Sequence, residues 1–279
     1  MSVEENVHIF RHHAMRAEFQ IRIAEQEKKY AASVAQTCFQ EITHLEQLFS
    51  RFRSDSEISH IGNMAAGEAL RLTEATFDCL TQARDYETLT RGAFSITAKQ
   101  GIGLSGWSLF PREFSIVCEN PPIWIDLGAI GKGFALDRAA QILHEWDVPA
   151  YLLVAAGSSV LAGDPPEGLT GWNTGLGDEV VKSRWWLRNG SLSGSGIAVQ
   201  GHHIIDPRSG QPSMLRHRAW AFASKAAMSD AMSTAAMVLT ENEISEIMAG
   251  RTDARIIIGD GGIEKHFGDW PLPPTVAPA

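Results

Sequence analysis

Ile123-Trp124-Ile125 runs into Asp126-Leu127-Gly128-Ala129-Ile130-Gly131-Lys132-Gly133-Phe134-Ala135-Leu136-Asp137. The apolar triplet predicts a short strand that ends on a carboxylate. Gly128, Gly131 and Gly133 let a backbone or a ligand approach closely. A helix is expected from about Lys132 to Trp146, burying Phe134, Ile142, Leu143 and Trp146. Lys132 then stands at a helix start, where free N–H groups and the helix dipole favour phosphate. A strand–turn–helix with a solvent-facing lysine would look the same, so the local fold is legible here and the chemistry stays open.

Outward toward the N-terminus, Tyr30 to Phe52 predicts a long amphipathic helix through Val34, Cys38, Ile42, Leu45, Leu48, Phe49 and Phe52. Before it, Glu18 to Ile23 alternates as a strand does. Thr73 is expected to cap a second helix with Phe77, Leu80 and Arg84 on one side. The stretch Arg91 to Asn120 resists assignment. Outward toward the C-terminus, Tyr151 to Ala155 and Ala219 to Ala223 are expected strands, with shorter ones near Trp185, Leu187, Ile197, Val199 and Ile204. Helices are expected over Met228 to Leu239 and near Ile244 to Met248. A hairpin pairs Arg255–Ile258 with Ile263–Phe267. Helices and strands mix without regular alternation, which indicates an α+β fold. One domain over residues 1–270, with room for two sub-lobes, and a Pro-rich tail over 271–279 are expected.

The bulk numbers bound the function. A chain of 279 residues with net charge −9 is a poor match to nucleic acid, whose phosphates select basic surfaces, and to a polybasic membrane anchor. Cys38, Cys79 and Cys118 form no CxxC pair, which points away from zinc and disulfides and toward a reducing compartment. Met1 to Arg11 is polar, and no apolar run reaches the length of a membrane helix, so a cytoplasmic protein without membrane insertion is expected. Trp185 or Trp186 is a candidate interface residue.

Four further motifs bear on chemistry. Gly101, Gly103 and Gly106 spell GxGxxG, but no helix follows, so a glycine-rich loop is the better account. Ser229-Asp230-Ala231-Met232-Ser233-Thr234 offers Ser229 as a cap and puts Asp230 and Thr234 on one helical face. A carboxylate beside a hydroxyl suits a hard cation such as Mg²⁺, while an ordinary polar first turn has the same composition. His203-Ile204-Ile205-Asp206-Pro207-Arg208-Ser209-Gly210 ends a strand in a turn; His203 is either a proton acceptor or a structural strand end. Phe49 to Ile58 places Phe49 and Phe52 before a polar loop, for a flat ring or for the core.

Taken in order, these segments resemble the ApbE-like FAD:protein FMN transferases. The resemblance is carried by Met15, Ser50–Ser59, Gly92–Thr97, Asp126–Gly133, Ser193–Gly210 and Ser229–Thr234. It implies a T-fold-related α+β architecture with a central active-site cleft, FAD as donor, Mg²⁺ at the pyrophosphate, and an acceptor protein that offers a Ser or Thr hydroxyl. Carried over by position, it implies metal ligation by the Ala129 carbonyl, Asp230 and Thr234. It implies FAD contacts at Met15, Phe52, Ala93, Phe94, Asp126 and Lys132. His203 would be the general base, with Lys132 and Asp230 the other catalytic groups. The chain departs from the family pattern at Arg16 (for Gly), Ser95 (for Asp), Ile61-Gly62-Asn63, Ser158 and Ser233. An FAD pyrophosphatase giving FMN and AMP, and an FAD-binding protein without transfer, stay open beside the transferase.

Overall fold

The computed structural model describes residues 6–98, 106–175, 184–196, 204–213, 215–260 and 263–271. Within them the chain order is β1 (Val7–Ala14), β2 (Ala17–Ala24), α1 (Lys28–Phe49), α2 (Glu57–Gly62), β3 (Ala69–Arg71), α3 (Glu74–Leu89), β4 (Trp107–Phe110) and β5 (Ser115–Cys118). There follow α4 (Gly131–Glu145), β6 (Tyr151–Ala155), β7 (Ser159–Ala162), β8 (Trp172–Gly175), β9 (Arg184–Leu187) and β10 (Gly190–Gly196). The chain ends with β11 (Ile205–Asp206), β12 (Gln211–Pro212), β13 (Arg218–Ala223), α5 (Ala226–Ala236), α6 (Glu241–Met248), β14 (Ala254–Asp260) and β15 (Ile263–Phe267). The fold is α+β, as the irregular mixture of elements predicted.

Its centre is an antiparallel sheet in the order β1-β2-β6-β7-β10-β13-β14-β15. The period-2 alternation of side chains gives the sheet two unlike faces. In β13, Ala219, Ala221 and Ala223 face the helices, while Trp220 and Phe222 face away. Three alanines let α5 lie close to the sheet. The aromatics fill the opposite core with Trp172, Trp185 and Leu187 of the β8–β9 hairpin. Trp185 is therefore buried, at 3% exposure, and is not an interface residue of the kind expected. A separate sheet, β3-β5-β4, takes two of its strands, β4 and β5, from the stretch that resisted assignment.

Apolar residues at helical spacing (Ala31, Val34, Cys38, Ile42, Leu45, Phe49) bury one stripe of α1. Thr73 caps α3 through the Thr76 N–H, as predicted. Three expectations need correction. The helix α1 ends at Phe49, so Phe52 lies beyond it and is 68% exposed. Trp146 follows α4, remains 37% exposed and packs at a tilt against Tyr30, whose hydroxyl donates to the Trp146 carbonyl. Residues 123–125 form no strand and pair in no sheet; Ile123 and Ile125 are buried to fill the core, and Trp124 between them is exposed. The eight-residue β1 went unpredicted because it alternates His, Arg and aliphatic residues at a sheet edge. No helix among the described residues is long and apolar enough to cross a membrane. Ile197, Val199, Gly101, Gly103 and the tail from 272 lie outside the described residues.

Candidate active site

The approach to α4 is tied down by its own polar atoms. The Asp126 N–H donates to the Ile96 carbonyl at 2.7 Å, which holds the preceding segment where a strand partner would otherwise be. The Asp126 carboxylate accepts from Arg51 Nη1 at 2.8 Å and from the Gly128 N–H at 3.0 Å. Ala129 lies in the turn between Gly128 and α4, half-buried. Lys132, in the first turn of α4, donates from Nζ to the Gly128 carbonyl at 2.9 Å. Lys132 and the helix N-terminus thus bring positive potential to one point, as the sequence predicted.

Asp230 meets this point from α5. Its side of the helix also carries Thr234, whose Oγ1 donates to the Asp230 carbonyl at 3.1 Å. The Asp230 carboxylate is buried, at 4% exposure. It accepts from the Gly133 N–H at 3.3 Å and from Ser159 Oγ at 3.5 Å, both long for a charged acceptor. No Lys, Arg or His pairs with it among the described residues. A buried carboxylate held this weakly calls for a cation. Its oxygen, the Thr234 hydroxyl and a nearby backbone carbonyl suit a hard divalent ion that keeps waters or substrate oxygens. Among the described residues no cluster of three or more His, Cys, Asp or Glu offers a denser metal site.

The position of α5 is set from outside it. Ser229 does not cap the helix, contrary to expectation; it lies within α5, and its hydroxyl bonds Ser193 on β10 at 2.7 Å. Next along, Ser195 bonds Ser233 at 2.9 Å and Thr234 at 3.2 Å. Ser233 thus belongs to this hydroxyl ladder. The N-cap residue Lys225 provides no side-chain cap. Asp137, one turn beyond Gly133 on α4, caps α5 instead, accepting from the Ala226 and Ala227 N–H groups at 2.7 and 2.9 Å. Asp137 also lines a cavity of about 460 Å³ with Asp78, Tyr151, Asn189 and Lys225.

Burial pushes the Asp137 carboxyl up to about 6, against the two backbone N–H donors and Lys225, with Asp230 adding to the rise. A raised carboxyl holds its proton more tightly in the folded chain. Its contribution to stability is therefore largest below the ordinary value of 3.8 and is lost as pH rises through about 6. Asp137→Asn keeps an acceptor oxygen and removes the titration. Urea midpoints of the two proteins should diverge across that window, with wild type losing stability relative to the variant; parallel pH profiles would refute the assignment.

A second part of the site is aromatic. Phe52 is flanked by two guanidinium groups, Arg51 at 4.7 Å and Arg16 at 5.6 Å from the ring centroid. Arg51 also lies 5.7 Å from the exposed Trp124 ring. Met15 sits in the β1–β2 turn and donates its N–H to Glu46 Oε1 at 2.7 Å. Ala93 and Phe94 follow α3 and are 2% and 1% exposed, so a ligand would meet that segment through its backbone rather than the Phe94 ring. Ser95 Oγ bonds Thr97 Oγ1 at 3.0 Å, a local turn contact.

Asp126 joins the two parts: Arg51 links it to Phe52, and the following turn leads to Lys132, Gly133 and Asp230. Met15 reaches the aromatic part through its neighbour Arg16. His203 lies outside the described residues. The turn after it is held by Arg208, which bonds Asp206 at 2.9 Å and Glu243 at 2.5 Å, and Gly92 packs beside Arg208. Sequence reasoning missed Arg51, Trp124, Ser159 and Asp137 as site residues. Only Arg51-Phe52 carried a signal, a cation next to an aromatic at a helix end.

Comparison with known proteins gives a consistent picture. The model of the ApbE family matches residues 15–258. A protein of Klebsiella pneumoniae (strain 342) named FAD:protein FMN transferase is 23% identical over 218 residues, 64% of this chain and 67% of the relative. One of the same name from Escherichia coli (strain K12) is 22% identical over 248 residues, 73% of this chain and 70% of the relative. The ApbE protein of Thermotoga maritima shares the fold, with a TM-score of 0.81 at 23% identity, over 94% of this chain and 97% of that one.

Proposed function

Because the chain belongs to the ApbE family, we propose that it is an FAD:protein FMN transferase, moving the FMN half of FAD onto a Ser or Thr hydroxyl of another protein and releasing AMP. The observation that carries this reading is the buried Asp230 carboxylate, which among the described residues is held by long hydrogen bonds alone, facing the N-terminus of α4. That arrangement needs a cation and offers an anion-binding helix end beside it. The relatives' name supports FAD as donor and a protein as acceptor.

Asp230, Thr234 and the Ala129 carbonyl would hold Mg²⁺ or a similar divalent ion. Bound there, the ion would neutralise the pyrophosphate, which is much of what phosphoryl transfer requires. Lys132 and the first turn of α4 would bind the phosphate charge, and Phe52, Met15, Asp126 and the backbone at Ala93–Phe94 would orient the dinucleotide. The acceptor oxygen forms a bond to the FMN-side phosphorus as the bond from that phosphorus to the oxygen bridging to AMP breaks. The hydroxyl proton passes to His203, and AMP departs. A cytoplasmic location is part of the proposal and is supported by three buried free thiols, Cys38, Cys79 and Cys118.

The test is FAD turnover by the purified protein, with and without Mg²⁺ and a Ser/Thr-bearing acceptor peptide. AMP would be followed by chromatography and an FMN adduct by mass spectrometry. AMP with an adduct, both dependent on Mg²⁺, is the expected result. AMP and free FMN in equal amounts, without adduct on any peptide, would replace the transferase by a pyrophosphatase. Binding of FAD without AMP would leave a flavin-binding protein.

A further inference from the structure

We infer that Arg16 is a specificity residue for the anionic donor, a cation held over the exposed Phe52 ring at a cost to the fold; this rests on the reading of the site as an FAD site. Met15 and Arg16 form the two-residue turn between β1 and β2, closed by the Ala14–Ala17 pair. Their φ angles are +51° and +58°. A two-residue turn of this kind needs φ above zero at both positions, and glycine is the residue that adopts it without strain at the second. A long β-carbon-bearing side chain there is unfavourable for folding, and such strain persists where something else requires the residue.

What the position provides is charge at the aromatic face. Arg16 is exposed and makes no ion pair among the described residues; its contact is the Phe52 ring, 5.6 Å from the guanidinium carbon. Arg51, the other cation at that ring, is already committed to Asp126 at 2.8 Å. Arg16 is thus the guanidinium free to meet ligand charge. In a chain of net charge −9, a dinucleotide carrying two phosphates is repelled at long range. A positive rim on the ring platform offsets that repulsion locally. It lets the site distinguish a phosphorylated flavin from the neutral ring alone.

The experiment compares wild type, Arg16→Gly and Arg16→Lys by titration with FAD and with riboflavin, at low and high salt, with thermal melting alongside. Arg16→Gly should bind FAD about three- to tenfold more weakly at low salt, with the difference shrinking at high salt, and should bind riboflavin as wild type does. Arg16→Lys should retain most of the FAD affinity. The glycine variant should also melt about 2–4 °C higher, because the turn strain is gone. Opposite signs for affinity and stability would separate a ligand role from a structural one. Equal weakening toward FAD and riboflavin, or no weakening, would overturn the role of Arg16 while leaving the FAD site in place. A wild-type protein that binds neither flavin would overturn the site reading, and this inference with it.

Discussion

Asp230→Asn is expected to fold normally and to lose metal-dependent FAD turnover by about a thousandfold. Asparagine has the same shape: its Oδ1 can still accept from the Gly133 N–H, now at 3.3 Å, while its Nδ2 would donate to Ser159 Oγ, now at 3.5 Å, reversing that bond. What disappears is the negative charge. Without added metal, that charge is a burden on the native state, since it is 4% exposed and has no cationic partner among the described residues. The variant should therefore melt at or above the temperature of the metal-free wild type. Mg²⁺ should raise the melting point of wild type and leave that of the variant unchanged. Full turnover in Asp230→Asn, or an equal Mg²⁺ shift in both proteins, would remove the metal assignment. Loss of fold would mean that the carboxylate serves packing.

Gly133→Ala should do its damage through the fold. A β-carbon at Gly133 would meet the Ala226 carbonyl and come 2.7 Å from the Ala227 nitrogen. These are backbone atoms at the first turn of α5, so no side chain can swing aside. The two helices would have to separate, and the Asp137 bonds to Ala226 and Ala227, one turn further along α4, would stretch with them. Overpacking of this kind costs about 3 kcal/mol. For a chain of this size, that corresponds to a fall of roughly 6–12 °C in melting temperature. Turnover should fall as well, because the Gly133 N–H and Asp230 are moved apart. A variant with unchanged melting and turnover would show that α4 and α5 are less tightly seated than their geometry indicates.

The parts of this arrangement that sequence could reveal are those with local causes. Glycines at 128, 131 and 133, a lysine at a helix start, and a carboxylate four residues before a hydroxyl each follow from backbone rules that act within one turn. Strands such as Tyr151–Ala155 and Ala219–Ala223 were legible because both faces are buried and the apolar run is unbroken. The misses have long-range causes. Ser229 resembles a cap in sequence, yet the capping oxygen comes from Asp137, 89 residues away from Ala226. Phe52 continues the apolar spacing of α1, but the helix ends before it and its ring is exposed, with the Arg51 guanidinium over it. Residues 123–125 have strand composition, and only the bond from Asp126 to Ile96 shows that the sheet passes them by. Trp124 looked like one more apolar residue, yet it is 53% exposed between two buried isoleucines.

The hydroxyl ladder has a mechanical consequence. Two residues of a strand advance about 6.7 Å and four residues of a helix about 6 Å, so serines spaced by two on β10 can meet hydroxyls spaced by four on α5 over successive steps. Ser193 with Ser229 and Ser195 with Ser233 use that near-match. It works as a vernier: a slip of α5 by one residue would bring Met228 and Met232, or Asp230 and Thr234, to the places of Ser229 and Ser233 and break the matched pairing. Since β10 lies between β7 and β13 in the interior of the sheet, α5 takes its longitudinal position from the stiffest part of the molecule. The carboxylate of Asp230 is therefore indexed to the sheet rather than to the loops around it.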